Sequence, residues 1–155
     1  MKLSALARVA TAAGVFATLA FAPAFAADKT RDDVVGIVKR AVVYLQANGP
    51  DKSYAEFSNP KGSFVDGELY MSVYDLKGDC LAHGADASKV GKDLSGAKDA
   101  DGKLYVQERV ALAATKASFW QTYKATDPVT KAPVERDAYC ERSADVLVCS
   151  GINKH

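Results

Sequence analysis

Two histidines and three cysteines are the side chains of this 155-residue chain best able to serve as bases, nucleophiles or metal ligands. His83 closes the stretch "DCLAH", and a loop rich in Gly, Asp and Lys follows it over 86–102. A phosphate-cradling loop places four residues between its first Gly and a Gly-Lys pair, then Ser or Thr. Here six residues separate Gly84 from Gly91, and Asp93 stands where the hydroxyl belongs, so that chemistry is rejected. Cys80 and His83 sit three apart on one predicted strand, where alternation would send them to opposite faces and prevent a dyad. No G-x-S-x-G nucleophile elbow occurs. There is also no C-x-x-C-H and no Cys or His pair at zinc spacing, so no metal or cofactor is expected. Asp99-Ala100-Asp101-Gly102 opens like a calcium loop but lacks the third carboxylate and the distant Glu; it predicts a turn leading into a helix. His83 is left as a hydrogen-bonded structural residue or a ligand contact.

The cysteines carry a second expectation. Cys140 and Cys149 bracket "CERSADVLVC", and a turn at Ser143–Val146 would set them directly opposite on an antiparallel hairpin. Opposed residues have Cα atoms about 4.5–5.5 Å apart, within disulfide reach. The spacing therefore predicts a Cys140–Cys149 bridge with Cys80 left free and buried; two reduced core cysteines are the alternative.

These residues must be positioned by a chain that begins with an export signal. Lys2 and Arg8 precede an uncharged, mostly apolar run over Val9–Ala22, and Pro23-Ala24-Phe25-Ala26 ends in an A-x-A step. That pattern predicts residues 1–26 as a signal peptide cut after Ala26, against the rival of a retained anchor. The run is shorter than the roughly 20 residues of a spanning helix, and no second such run follows, so the mature chain is expected not to insert in a membrane. Lys2 and Arg8 leave with the leader, taking the 20 Lys and Arg to 18 against 19 Asp and Glu. A charge near −1 argues against nucleic acid as a partner. Residues 27–155 suit one domain.

Periodicity supplies the elements. Val34, Val38, Ala41 and Leu45 form one face of a long helix, widened by Val35, Ile37 and Val42, capped by Thr30 or Asp28 and stopped by Asn48-Gly49-Pro50. A short helix follows over Ser53–Phe57. "ELYMSVYDL" alternates and turns at Lys77-Gly78 into "DCLAH", a predicted hairpin. Leu104–Thr115 reads as another helix, and "SFWQTYKA" with segments 134–142 and 146–152 as three strands. The nearly continuous apolar run "VLVCSGI" suits a central strand. The order predicts an α+β domain, an antiparallel sheet with helices against it.

Four segments then carry a resemblance. "FVDGELYMSVYDLKGDCLAHGADASKVGKDL", "DADGKLYVQERV", "FWQTYKATDPVTKAPVERDAYC" and "VLVCSGI" are similar, in this order, to the single Cache domain of bacterial extracytoplasmic sensors. The match runs from about Asp33 to Asn153. It implies a long N-terminal helix on a five-stranded antiparallel sheet of the PAS-like kind. It also implies the binding of a small organic acid such as acetate, propionate, lactate or pyruvate, without chemistry on it. In most relatives the domain lies between two membrane helices; here a signal would pass to a separate membrane receptor or histidine kinase. A structural or interaction protein that kept the scaffold and lost the ligand is the alternative. Relatives commonly carry Gly where Lys131 falls, Lys where Arg136 stands, and glycines where Ala117-Ser118-Phe119 precede Trp120.

Alternation sorts the wall of such a pocket. Leu69, Met71 and Val73 suit the helix side of the sheet, and Tyr70, Ser72 and Tyr74 the other, where phenol hydroxyls can donate to a carboxylate; covering the sheet is the alternative role. Arg136 is the expected carboxylate clamp, because guanidinium matches a carboxylate bidentately, unless it is a solvated strand-edge residue. Trp120 is expected as a wall or a core residue. His83, Tyr105 and Tyr139 complete the expected ligand-binding set.

Overall fold

A computed structural model describes residues 28–127 and 130–154. The expected signal peptide lies outside the described residues. The first helix, α1 (Arg31–Asn48), starts in a capping box: Thr30 Oγ1 accepts from Asp33 N–H, and the Asp33 carboxylate accepts from Thr30 N–H. This pairing satisfies donors that every helix start leaves open, and Thr30 rather than Asp28 supplies it. Of the predicted stripe, Val34, Ile37, Val38, Ala41, Val42 and Leu45 are buried and Val35 is half-buried at its margin. Gly49, at φ 77°, ends the helix in a conformation only glycine adopts without strain. Pro50 then opens α2 (Pro50–Phe57), three residues earlier than its sequence start at Ser53 suggests, because proline fits the first position of a helix.

The predicted first strand is divided in two. Val65–Asp66 (β1) and Leu69–Tyr70 (β2) form a small ladder around Gly67, and after Met71 the chain continues as Ser72–Asp75 (β3). Then come Cys80–His83 (β4), α3 (Tyr105–Ala113), Ser118–Thr126 (β5), Pro133–Ser143 (β6) and Val146–Asn153 (β7). The last five strands make one antiparallel sheet in the order β4-β3-β7-β6-β5. The apolar run of β7 is central, as its composition requires. The exposed side of β4 is covered by its own loop: Cys80 N–H donates to Lys92 O at 2.9 Å, and Gly91 N–H to Cys80 O at 2.7 Å. An edge strand so covered offers no template for pairing with another chain.

One register shift alters an expectation. Ser72 pairs with His83 and Val73 with Ala82, but Tyr74 pairs with Cys80, so Leu81 is an extra residue opposite β3. A bulge reverses the alternation beyond it. Cys80 and His83 therefore share the face of Ser72 and Tyr74 rather than opposing one another. The alternation argument against a dyad fails, although Cys80 is inert for another reason: burial first of all pushes its thiol up to about 11.

Each sheet face has its own core. Leu69, Met71, Val73 and Val148 pack with α1, joined by Phe57 and Phe64. Tyr74, Cys80, Phe119, Cys140, Leu147 and Cys149 pack with Tyr105, Val106 and Ala113 of α3. Cys140 pairs directly with Cys149 and is bonded to it, with Cα atoms 4.1 Å apart; Cys80 is free and buried. Replacing both bonded cysteines by alanine should lower unfolding free energy by about 2–3 kcal/mol through lost restraint on the unfolded chain. An unchanged denaturation midpoint would show that the bridge adds no stability.

Candidate ligand-binding cavity

On the face opposite α1, the sheet and the loop after β4 enclose a cavity of about 470 Å³. Its inner wall is aromatic: Tyr70 and Tyr74 from β2 and β3, His83 from β4, Tyr105 from α3 and Tyr123 from β5. Its outer rim comes from the loop, with Lys89, Leu94, Ala97, Lys98 and Asp99, and from Lys124 and Ala125 of β5. The loop is not a floppy cover. Asp99 caps its last turn, accepting from Asp101 and Lys103 N–H through one oxygen and from Lys124 N–H through the other. The expected turn is therefore present, and it pins the loop to β5.

Arg109 lies behind this aromatic wall. It is 1 % exposed, and its guanidinium carbon sits 4.7 Å from the Tyr123 ring, 5.3 Å from Tyr105 and 5.5 Å from Tyr74. Nε donates to Gln121 Oε1 at 2.7 Å and Nη1 to Tyr74 Oη at 3.3 Å. Gln121 is held in turn by donating to Tyr105 O at 2.9 Å. Among the described residues no carboxylate pairs with Arg109. A buried cation is costly unless an anion compensates it. Three ring faces and two neutral acceptors lower that cost and leave the positive potential directed through the wall. Burial alone would raise the Tyr123 phenol, but Arg109 beside it draws it below its ordinary value. Tyr74 is pushed well up by burial and stays a neutral donor.

His83 is fixed as a donor by its own loop. Nδ1 accepts from Ala85 N–H at 3.3 Å and Asp86 N–H at 3.0 Å, so the proton of the neutral ring resides on Nε2. Burial, followed by the charge of Lys89, brings its pKa down to about 3. Its depressed value couples folding to pH. The unfolded ring takes a proton near 6.5 and the folded ring only near 3, so stability falls as pH drops through that window. Replacing His83 by Asn should flatten this part of the acid-unfolding curve; a curve of unchanged slope would mean the ring is protonated in the folded protein.

The expected site residues divide between the two faces. Tyr70, Tyr74, His83 and Tyr105 meet at the cavity. Ser72 lies on the same face but is buried between His83 and Cys149 and does not reach the wall. Trp120 and Tyr139 are displaced from the expected set. They pair across β5 and β6 with rings 5.3 Å apart and pack on the α1 side, where Arg31 lies 3.8 Å over the indole. Strand alternation decides this: Phe119, Gln121 and Tyr123 take the cavity face of β5, so Trp120 must take the other.

Arg136 is on the cavity side but does not line this cavity. It borders a neighbouring hollow of about 410 Å³ with Tyr70, Val65 and Glu68. Three of its N–H groups are engaged within the chain, Nη1 by Asn153 Oδ1 at 2.8 Å and Nη2 by Glu68 O at 2.9 Å and Gly151 O at 2.6 Å, with Tyr70 stacked at 4.6 Å. It is 4 % exposed, so it is not a solvated strand-edge residue either. Lys131, where the resemblance implies Gly, has φ 60°, the left-handed region that glycine enters freely.

Two wall or subwall residues went unmarked by sequence. Tyr123 follows Phe119 and Gln121 at a spacing of two, and Arg109 follows Tyr105 at a spacing of four, one helical turn. Those spacings were available, but an arginine between Glu108 and Val110 reads as solvated until the sheet closes over it.

Solved structures share the fold. A Cache chemosensory domain described for carboxylic acid recognition matches with a TM-score of 0.69 and 22 % identity, over 80 % of this chain and 92 % of that one. The periplasmic sensor domain of a chemotaxis protein matches at 0.61 and 24 %, covering 78 % and 88 %. A methyl-accepting chemotaxis protein from Vibrio parahaemolyticus RIMD 2210633 matches at 0.64 and 19 %, covering 79 % and 86 %. No curated protein matches the sequence. No helix among the described residues is long and apolar enough to cross a membrane. The single Cache domain 2 model matches residues 54–152, most of the α+β unit from α2 to β7, and the chain belongs to that family.

Proposed function

We propose that residues 27–155 form an extracytoplasmic sensing module that binds a short-chain carboxylate in the aromatic cavity and signals through a separate membrane receptor or histidine kinase. The observation that carries this reading is Arg109, a buried guanidinium with no carboxylate partner among the described residues, set behind Tyr74, Tyr105 and Tyr123. Phenol hydroxyls and His83 Nε2–H donate directly to the anion, and Arg109 supplies the charge behind them. Donors fixed before binding cost no reorganisation when the anion arrives. A Cache domain described for carboxylic acid recognition has the same fold, which supports the choice of ligand class.

The same groups support binding without turnover. His83 is held neutral with Nδ1 occupied by backbone donors, and the Cys80 thiol is pushed up, so neither is equipped as a base or a nucleophile. The experiment is a thermal-shift and calorimetric screen of the exported protein against C2 to C6 organic acids. A binder at about a hundred times its Kd should add about 2.7 kcal/mol of stability. No melting shift and no heat with any acid would favour an interaction scaffold without a small ligand.

A further inference from the structure

We infer that the outer edge of β5 is a self-association surface, through which two copies of this chain pair antiparallel over Ser118–Thr122 with Trp120 beside its own copy at the two-fold axis. The sheet has two edges, and the chain treats them differently. The β4 edge is occupied by Gly91 and Lys92 of its own loop. β5 lies at the other end of the strand order, with no strand beyond it.

One hydrogen bond fixes which groups of β5 face outward. Arg142 N–H donates to Ala117 O at 2.8 Å, and these two residues continue the Ser118–Glu141 register by one step. Bonded and unbonded pairs alternate in an antiparallel ladder. Phe119, Gln121 and Tyr123 therefore direct their N–H and C=O groups to β6, and Ser118, Trp120, Thr122 and Lys124 direct theirs outward. The chain closes both ends of this row. Lys124 N–H donates to Asp99 at 2.9 Å, Lys103 Nζ to Thr122 O at 2.8 Å, and Lys116 N–H to Leu112 O at 3.0 Å. Between these closures, the N–H and C=O of Ser118 and Trp120 and the N–H of Thr122 have no hydrogen-bond partner among the described residues.

The open stretch lacks the features that keep an edge single: it carries no charge, no proline and no bulge. Its symmetry selects a second copy as the occupant. The outward positions are spaced evenly about Trp120, so an antiparallel copy sets Trp120 against Trp120 and Ser118 against the partner's Thr122. Each free donor then meets an acceptor, and Thr122 O has a second lone pair to serve both Lys103 and the partner's Ser118. A shift by two positions in either direction would run into the closures at Lys116 or Lys124. The side chains agree with this register. Trp120 is only half-buried, although Arg31 covers its ring at 3.8 Å and Tyr139 lies 5.3 Å away. A two-fold axis normal to the sheet brings both indoles to one face at the centre of the contact, where tryptophan contributes most. Arg31 is already paired with Asp137, which compensates its charge beside the axis.

Sedimentation of the mature protein from about 1 to about 500 μM should show the mass rising from monomer to dimer, the high range being needed because a single strand edge is a small interface. Trp120 is the one tryptophan of the chain, so iodide quenching of its emission should fall over the same range. Ser118→Lys/Thr122→Lys sets like charges opposite each other at both ends and should weaken association about tenfold or more. Both side chains are exposed, and a melting temperature close to native confirms that this variant folds. Ser118→Cys/Thr122→Cys tests the register. Within one strand these positions lie about 13 Å apart, too far for a bridge, whereas across the pair their Cα atoms would be about 5.5 Å apart. Oxidation should therefore cross-link the double variant into dimers and leave Ser118→Cys alone monomeric. A monomer with unchanged quenching at the highest concentration would overturn the inference. A dimer that survives the lysine variant and is not cross-linked by the cysteine pair would also overturn it, because it would form through another face.

Discussion

Arg109→Met should weaken carboxylate binding on the order of 100-fold, about 2.7 kcal/mol, while leaving the protein folded. The binding loss follows from charge. Without Arg109 the wall loses the buried cation that most offsets the desolvation of the anion, and the Tyr123 phenol loses the largest influence that lowers it. The stability change is a balance of opposing terms. Methionine relieves the burial of a guanidinium with no anionic partner, which is favourable. It also removes the donors to Gln121 Oε1 and Tyr74 Oη, each costing about 1–3 kcal/mol if left unmet. Gln121 keeps its bond to Tyr105 O and the volumes are similar, so the net shift should be within about 2 kcal/mol. Paired calorimetry and urea unfolding measure both quantities. Unchanged affinity would remove Arg109 from the site, whatever its effect on folding.

Arg136→Ala should behave in the opposite way. It should cost about 2–3 kcal/mol of folding stability and change carboxylate affinity by no more than about threefold. The guanidinium joins the β1–β2 ladder, through Glu68 O, to β7, through Gly151 O and Asn153. Alanine would strand those acceptors and leave a void beneath the Tyr70 ring. Gly151 cannot close it: a Cβ there would lie 2.6 Å from Asp137 O and 3.1 Å from Ala138 Cα, so the backbone has no slack on that side. Arg136→Gln, which keeps one donor, should recover part of the loss. A variant of native stability that no longer binds acids would instead make Arg136 the clamp that its residue type suggests. The two arginines are chemically alike, and their surroundings assign them opposite roles.

The contrast marks where sequence stops being sufficient. Elements whose identity depends on near neighbours were legible from residues alone. The α1 stripe at spacings of three and four, its Thr30 cap and the Gly49 stop are local, and α1 forms where they predict it. The Cys140–Cys149 bridge was legible for the same reason, since a two-residue hairpin turn fixes which positions oppose each other. Leu69, Met71 and Val73 could be assigned to the α1 side, and Tyr70 and Tyr74 to the other, because strict alternation holds from Leu69 to Tyr74.

Tertiary contacts decided the rest. The bulge at Leu81 depends on how β4 must meet β3 while its other edge pairs with Lys92, and it alone brings Cys80 and His83 to one face. Trp120 was expected as a wall or a core residue and Tyr139 in the ligand-binding set, and residue type could not choose because it does not reveal the parity of β5 and β6; their pairing does. Arg136 looks like a free guanidinium until Glu68 and Gly151, 68 and 15 residues away, are folded onto it. Arg109 looks solvated until Tyr74, Tyr105 and Tyr123 surround it. Sequence by itself determined the periodicities, the caps, the hairpin register and hence the α+β class. Which cations are spent within the chain and which remain for a ligand was decided only by the fold, because burial and hydrogen-bond partners are properties of residues far apart along the chain.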